Sequence, residues 1–246
     1  GHPCIEKAAE YLFACQTEEG DIRGIIGEQY APYYNGIMVS NLICAGYSDD
    51  YRVERVLQWL LTMRQDDGGW IIGSPGCLGN YTREERDALT TQFVGTRQDF
   101  RRDLPSGYAG TGMVIRAFAT HPVYRVSMEA FQAADLLAES MFKPNTNSSY
   151  KHPDNWVRFK YPFWWTDLIS ALDSFSLMGL SCDYSPIKNA LDWLIANQLP
   201  TGLWKHSYSR IHNHTENART REEQLWISLA ILRVLNRFNS ATQGSK

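Results

Sequence analysis

Apolar residues recur along the chain at helical spacing, three or four positions apart. The clearest case is the stretch 51–65, in which Val53, Val56, Leu57 and Leu60 fall on one side of a helix. No stretch alternates between apolar and polar residues as a half-buried β-strand would. The pattern therefore predicts an all-α protein.

The predicted helices alternate between two kinds. One kind is amphipathic and should lie half-exposed on the outside, whereas the other is apolar on nearly all sides and should be buried. Amphipathic helices are predicted over residues 3–16, 48–65, 126–141 and 184–198. Buried helices are predicted over residues 31–45, 107–119, 163–173 and 221–238. This alternation predicts four hairpins, each made of an outer and an inner helix.

Three of the outer helices are followed by a similar turn. It consists of a glutamine, a glycine three or four positions later, and a large apolar side chain two positions after the glycine. The glutamine and tryptophan positions are Gln16, Gln65, Trp70, Gln198 and Trp204, and Ile22 closes the first turn. Glycine can take positive φ at a helix end, and the glutamine amide can satisfy backbone groups left open there. The tryptophan ring can cover the junction.

This repeat resembles the QW motif of squalene-type cyclases, in the superfamily of terpenoid cyclases and protein prenyltransferases. The resemblance implies an α/α-toroid, a ring of helical hairpins, formed here by one domain over residues 1–246. Four hairpins are fewer than the six of a closed toroid, so we expect either a toroid or a partial arc. The repeat holds helices together and therefore implies architecture rather than chemistry.

Composition indicates which kinds of partner the protein can bind and in which cellular compartment we expect it. The 246 residues are 43% hydrophobic and carry a net charge of −3 with both signs spread along the chain, which argues against a nucleic-acid partner. No run of about 18 apolar residues is present, so no transmembrane segment is predicted. The five cysteines have no paired spacing, and reduced thiols of this kind are typical of a cytoplasmic protein.

The resemblance implies three catalytic patterns, and each is altered in this chain. Class II cyclases use an Asp-x-Asp-Asp acid, but residues 48–50 and 65–67 both lack the leading aspartate. Class I synthases use Asp-Asp-x-x-Asp for magnesium diphosphate, and Val53 stands in place of the last aspartate. Prenyltransferases hold zinc with an aspartate, a cysteine two positions later and a distant histidine, whereas Cys182 and Asp183 are adjacent and reversed.

No cofactor is predicted, and zinc is the alternative. Cys182, His212 and His214 are acceptable zinc ligands by type. Their spacing matches no strong metal-binding pattern, and histidines are common in surface loops. A metal-free protein is therefore the expectation.

The stretch 161–173 is the best candidate for a functional site. Aromatic residues cluster where a buried helix is predicted to begin, and Asp167 follows them. Burial would raise the pKa of Asp167 and make it a candidate general acid, and aromatic faces could stabilise a carbocation. The predicted ligand pocket comprises Tyr33, Tyr34, Asn35, Tyr161, Trp164, Trp165 and Trp226. In the alternative interpretation, Asp167 is a helix-end carboxylate favoured by the helix dipole and the tryptophans are core.

Three functions are consistent with these patterns. The first is a cyclase-like or prenyltransferase-like protein that binds a small apolar ligand, with Asp167 as acid. The second is a binding protein or scaffold that kept the toroid and lost the catalytic motifs. The third is a carbohydrate-active toroid, in which Asp167 pairs with a second carboxylate such as Asp154. An incomplete array would also leave an apolar flank for a second chain to cover, which predicts a homodimer.

Overall fold

The computed structural model describes residues 2–23, 31–72, 102–145, 152–206 and 218–244. Over these ranges the chain forms eight α-helices and no β-strand, apart from one isolated bridge between Gln16 and Ile22. The predicted all-α class is therefore confirmed. In the sequence, residues 71–105 show no clear helical pattern, and most of them lie outside the described residues.

The eight helices form four consecutive hairpins. The outer helices are α1 (Pro3–Ala14), α3 (Tyr51–Thr62), α5 (Met128–Glu139) and α7 (Ser185–Ala196). The inner helices are α2 (Pro32–Leu42), α4 (Tyr108–Thr120), α6 (Leu168–Met178) and α8 (Ala218–Gly244). A π-helical segment at Ile43–Tyr47 extends α2, and 3-10 segments at Tyr124–Val126 and Pro153–Val157 precede α5 and α6. No described helix is both long and apolar enough to cross a bilayer.

The inner helices stand side by side in chain order. Helix α4 packs against both α2 and α6, and α6 packs in turn against α8. Helix α3 covers α2, and α5 covers α4 and α6. Because α2, α4 and α6 are apolar on nearly all sides, each is buried between an inner neighbour and an outer helix.

Helices α2 and α4 approach each other closely enough that their backbones touch. A Cβ atom on Gly36 would lie 2.5 Å from the Cα of Val114 and 2.7 Å from the carbonyl oxygen of Met113. Only a residue without a side chain fits there, so Gly36 sets the distance between the first two inner helices.

The turns after α1 and α7 share the hydrogen bond expected of the repeat. The amide nitrogen Nε2 of Gln16 donates to the carbonyl of Gly20 at 2.8 Å, and Nε2 of Gln198 donates to the carbonyl of Gly202 at 2.8 Å. Both glycines have positive φ, at 111° and 80°. In each case the glutamine closes the loop that follows its helix.

In the turn after α3, an arginine takes the place of this glutamine. Nε of Arg64 donates to the carbonyl of Gly68 at 2.8 Å, with Gly68 again at positive φ. Gln65 lies one residue later, and its Nε2 donates to the carbonyl of Leu104 at 2.7 Å. Arg64, and not Gln65, therefore occupies the position equivalent to Gln16 and Gln198, and its guanidinium N–H replaces the amide donor.

The tryptophans of the repeat occupy equivalent positions in the second and fourth hairpins. Nε1 of Trp70 donates to the carbonyl of Leu60 at 2.8 Å, and Nε1 of Trp204 donates to the carbonyl of Leu194 at 2.6 Å. Both rings are buried. Each ring therefore covers the end of its outer helix and gives a carbonyl of the last turn a second donor, beside the backbone N–H of Met63 or Asn197.

The same turn also binds the inner helix of its own hairpin. The backbone N–H of the closing residue donates to a polar side chain on that inner helix. The donor–acceptor pairs are Ile22 with Asn35 at 2.7 Å, Trp70 with Thr111 at 3.0 Å, and Trp204 with Ser228 at 2.9 Å. We call this set of contacts, in the first, second and fourth hairpins, the clasp.

Candidate functional site

Asp167 lies at the N-terminus of inner helix α6. Its carboxylate accepts a hydrogen bond from the backbone N–H of Ser170 at 2.8 Å, and the Ser170 hydroxyl oxygen accepts one from the Asp167 backbone N–H at 3.0 Å. This reciprocal pair is a capping box, which satisfies open donors at the helix start. Helix α6 begins at Leu168 and not near residue 163 as predicted, because the cap is formed here.

Burial strongly affects the protonation of this carboxyl group. Asp167 is only 5% exposed, and burial raises the pKa of its carboxyl group from 3.8 to about 6. Hydrogen bonds from Ser170 and the positive charge of Arg116 act in the opposite direction but do not cancel the effect of burial. A carboxyl group with this pKa is partly protonated near pH 6 and can act as a general acid.

Arg116, on α4, holds the segment that leads into α6. Its Nη1 donates to the carbonyl of Phe163 at 2.7 Å and its Nη2 to the carbonyl of Trp165 at 2.7 Å. Burial lowers the pKa of the Arg116 guanidinium, and the nearby carboxylates oppose this, so the group stays charged. The carbonyls of Phe163 and Trp165 thus bind Arg116 and not backbone N–H groups of a helical turn. This is the physical reason that α6 starts later in the chain than predicted.

Thr166 fixes the same segment from the other side. Its hydroxyl donates to the carbonyl of Ala109 at 2.7 Å, and the side chain is buried. The residues immediately before Asp167 are therefore fastened to α4 at three points, by Arg116 twice and by Thr166 once. The carboxyl group is held in a fixed position relative to the aromatic side chains of the segment.

Replacing Arg116 by lysine is expected to destabilise the protein by about 2 kcal/mol. Lysine keeps the charge but cannot span two carbonyls with a planar fork, and hydrogen bonds to charged groups are worth about 1.5–3 kcal/mol each. Urea denaturation of the variant and the parent measures the difference. Arg125→Lys, at an exposed arginine, is the matched control and should change stability little. Equal effects of the two substitutions would contradict the role given to Arg116.

A small cavity of about 40 Å³ adjoins Asp167. Its walls include the rings of Trp164 and Trp165 and the basic side chains of Arg158 and Lys160. Such a volume accommodates a few water molecules or a small group, whereas pockets for whole drug-sized ligands measure about 300–1,000 Å³. The cavity can therefore receive only one end of a larger molecule.

Aromatic rings continue from this cavity toward α2. The ring centroids of Trp164 and Tyr34 are 5.3 Å apart, and those of Tyr34 and Tyr33 are 4.4 Å apart. Trp165 packs against a buried cluster that includes Tyr33 and Met113. Trp164 is 40% exposed, so one face of this aromatic group is open to solvent.

The remaining predicted pocket residues lie elsewhere. Tyr161 and Trp226 stack nearly parallel, with centroids 5.2 Å apart, and join the segment before α6 to α8. Asn35 is buried, and besides accepting from Ile22 its amide donates to the carbonyls of Ile22 and Ala31 at 3.2 Å each. It therefore joins Ile22, which follows α1, to the first turn of α2.

The alternative ligands and acids are placed as follows. Cys182 is half-buried between α6 and α7, and His212 and His214 lie outside the described residues. Within the described ranges, no three His, Cys, Asp or Glu side chains are grouped as a metal site would require. Asp154 is exposed, and its carboxylate lies 3.3 Å from Nδ1 of His152.

Sequence reasoning did not identify Arg116, Arg158 or Lys160 as parts of the site. One signal was available for the first, because Arg116 is the only charged residue in the otherwise apolar stretch 107–119. A charged side chain on a buried helix is stable only if it forms hydrogen bonds or ion pairs, and Arg116 forms hydrogen bonds with backbone carbonyls. Arg158 and Lys160 stand in a polar stretch, where their residue types carry no such signal.

Comparison with known proteins extends the description of the fold. No protein-family model matches the chain, and no curated protein sequence does. Among solved structures, the chain is similar to the type II terpene cyclase MstE from Scytonema, determined in complex with its substrate geranylgeranyl dihydroxybenzoate. The TM-score is 0.52 at 15% sequence identity, and the match covers 95% of this chain but only 56% of the cyclase chain. The chain therefore has a terpenoid cyclase-like α/α-toroid fold.

Proposed function

We propose that this protein binds an isoprenoid or a comparable apolar ligand, and that Asp167 donates a proton to it. The observation that carries the proposal is the position of Asp167, a buried carboxyl group with a pKa of about 6 on an aromatic-lined cavity. The fold supports it as well, since MstE has a similar fold and was determined with a geranylgeranyl substrate.

The cavity and the rings beside it suggest how such a ligand would bind. One terminal group of the ligand would occupy the space of about 40 Å³ next to Asp167. The rest of the chain would lie against the exposed part of Trp164, whose ring packs on Tyr34. Burial of this surface provides the binding free energy, at about 25 cal/mol for each Å² removed from water.

The proposed chemical step is protonation of an alkene or epoxide by the neutral carboxyl group. With an alkene, the π-electron pair forms a C–H bond with the Asp167 proton, and the positive charge moves to the neighbouring carbon. The remaining carboxylate is stabilised by the Ser170 N–H and by the nearby charge of Arg116. The tryptophan faces would stabilise the carbocation until a second double bond attacks it or a proton is lost.

The second candidate function is ligand binding without chemistry. Asp167 already caps α6 through Ser170, and the Asp-x-Asp-Asp pattern of class II cyclases is absent. A structural carboxylate would show the same capping box. The two candidates therefore differ only in whether the proton of Asp167 reaches the ligand.

Asparagine in place of Asp167 separates the electrostatic role from the capping role. Asparagine caps helices about as well as aspartate, but it cannot ionise. Because the folded-state pKa of about 6 is above the ordinary value of 3.8, the folded protein holds this proton more tightly than the unfolded chain. The free energy of unfolding therefore falls as the pH rises from about 4 to about 6, because the unfolded chain loses this proton at a lower pH than the folded protein does.

The expected result is a pH-dependent difference between the parent and D167N. Relative to D167N, the parent should lose stability between pH 4 and 6 and show no further relative change above pH 7. Urea denaturation of both proteins at pH 4, 5, 6 and 7 measures this difference in unfolding free energy. A constant difference at all four pH values would contradict a raised pKa at Asp167.

A turnover experiment tests the function itself. Purified protein is incubated with geranylgeraniol, binding is followed by tryptophan fluorescence, and products are identified by gas chromatography with mass spectrometry. The proposal expects cyclised or hydrated product from the parent and from Asp173→Asn, a carboxylate change later on the same helix, but none from D167N. Product from D167N would refute the acid role. Binding by the parent without product would favour the second candidate.

A further inference from the structure

Helix α8 has apolar residues on two opposite sides. One side is buried and comprises Ile227, Ile231, Val234 and Phe238, at the helical spacing of four, three and four residues. The helix packs against α6. This side completes the core at the end of the row of inner helices.

The other side of α8 is exposed. Leu225, Leu229 and Leu232 are each just under 50% exposed. At 100° per residue they project on the side opposite the buried one. A helix that is apolar on both sides is normally covered on both, so this surface resembles one half of an interface. We call it the α8 stripe.

The spacing of the α8 stripe is that of a coiled-coil seam. Glu222, Leu225, Leu229, Leu232 and Asn236 are separated by three, four, three and four residues, which places them at alternating a and d positions. The three leucines form the centre of the seam and the two polar residues its ends. A seam of this width matches one partner helix.

The charges beside the stripe identify the direction of that partner helix. Glu222 stands at the N-terminal end of the stripe and Arg233 near its C-terminal end, and both are exposed. Two parallel copies of the stripe would bring glutamate beside glutamate and arginine beside arginine. Two antiparallel copies would bring each Glu222 within one helical turn of the partner's Arg233, and symmetry makes this contact twice.

We propose that the α8 stripe binds the α8 stripe of a second copy of this chain, antiparallel about a two-fold axis at Leu229. In this arrangement Leu229 contacts its own counterpart, and Leu225 lies beside the partner's Leu232. The stripe is complementary to itself in both apolar pattern and charge, as a two-fold interface requires. A heterologous partner would need to reproduce that same pattern.

The first test is the mass of the full chain in solution. Multi-angle light scattering and sedimentation equilibrium between about 1 and 100 μM should show a species of two copies that dissociates on dilution. Leu229→Glu places two carboxylates at the two-fold axis and should weaken the dimer by at least about 100-fold. Ile195→Glu, at a similarly exposed apolar position on α7, should leave the dimer unchanged.

Two outcomes of this test would overturn the proposal. One is a parent protein that remains monomeric at about 100 μM while circular dichroism shows it to be folded, in which case the stripe is covered by something other than a second copy. The other is a Leu229→Glu variant that is still dimeric, since the interface would then lie elsewhere.

Charge reversal tests the antiparallel arrangement. Glu222→Arg alone and Arg233→Glu alone should each weaken the dimer by about tenfold, because each replaces two symmetry-related attractions by repulsions. The double variant Glu222→Arg with Arg233→Glu restores opposite charges and should recover the parent dissociation constant. A double variant weaker than both single variants would overturn the arrangement, as would single variants that bind like the parent.

Discussion

Replacing Trp70 by alanine is expected to destabilise the protein by about 4–5 kcal/mol. The ring is fully buried, stacks on Phe118 with centroids 5.6 Å apart, and donates to the carbonyl of Leu60. Truncation of a buried tryptophan leaves a cavity that costs about 3–5 kcal/mol. The lost hydrogen bond to the Leu60 carbonyl adds about 1 kcal/mol. Urea denaturation followed by far-ultraviolet circular dichroism measures the loss.

Two further variants separate the parts of this effect. Trp70→Phe keeps an aromatic ring but loses the Nε1 donor and some volume, so we expect about half the loss of the alanine variant. Trp164→Ala removes a ring that is 40% exposed and should cost less, about 2 kcal/mol. If Trp70→Ala were no more damaging than Trp164→Ala, the buried Trp70 ring would not be a main source of stability.

Replacing Gly36 by alanine is expected to cost about 3 kcal/mol, although alanine is the better helix former. The added methyl group would meet the backbone of α4, at 2.5 Å from the Cα of Val114. Backbone atoms cannot rotate away as a side chain can, so the two helices must separate. Helix propensity returns at most about 1 kcal/mol. Thermal and urea denaturation measure the net change.

Asn41→Ala is the matched control for Gly36. It lies on the same helix α2, and its side chain is exposed. The substitution should change stability by about 0.5 kcal/mol or less. A Gly36→Ala variant that is as stable as the parent would show that α2 and α4 do not depend on this contact.

The helices could be predicted because their pattern is local. Helix α3 begins after Asp50, whose carboxylate accepts from the N–H of Arg52, and its apolar stripe is buried as its spacing predicts. The hydrogen bond that Arg64 makes in the turn after α3 could not be predicted in the same way. Gln65 matches the repeat by residue type, but the loop geometry selects the residue four positions before the glycine, and a guanidinium can make the same bond.

The candidate site depended on contacts between distant positions. The aromatic residues around Asp167 were visible in sequence, since they are neighbours in the chain. The two bonds from Arg116 span 47 and 49 positions, and no local pattern indicates which carbonyls a guanidinium will reach. The small volume of the cavity could not be predicted for the same reason, because it depends on how the segment before α6 packs against α4.

The clasp has a consequence for how a protein of this kind is assembled. Its backbone bonds join positions 13, 41 and 24 residues apart, always within one hairpin. Each of these clasps therefore needs only its own hairpin in order to form, as in an array of stacked repeats. A gene built on this plan can gain or lose a whole hairpin without altering the clasps of the others.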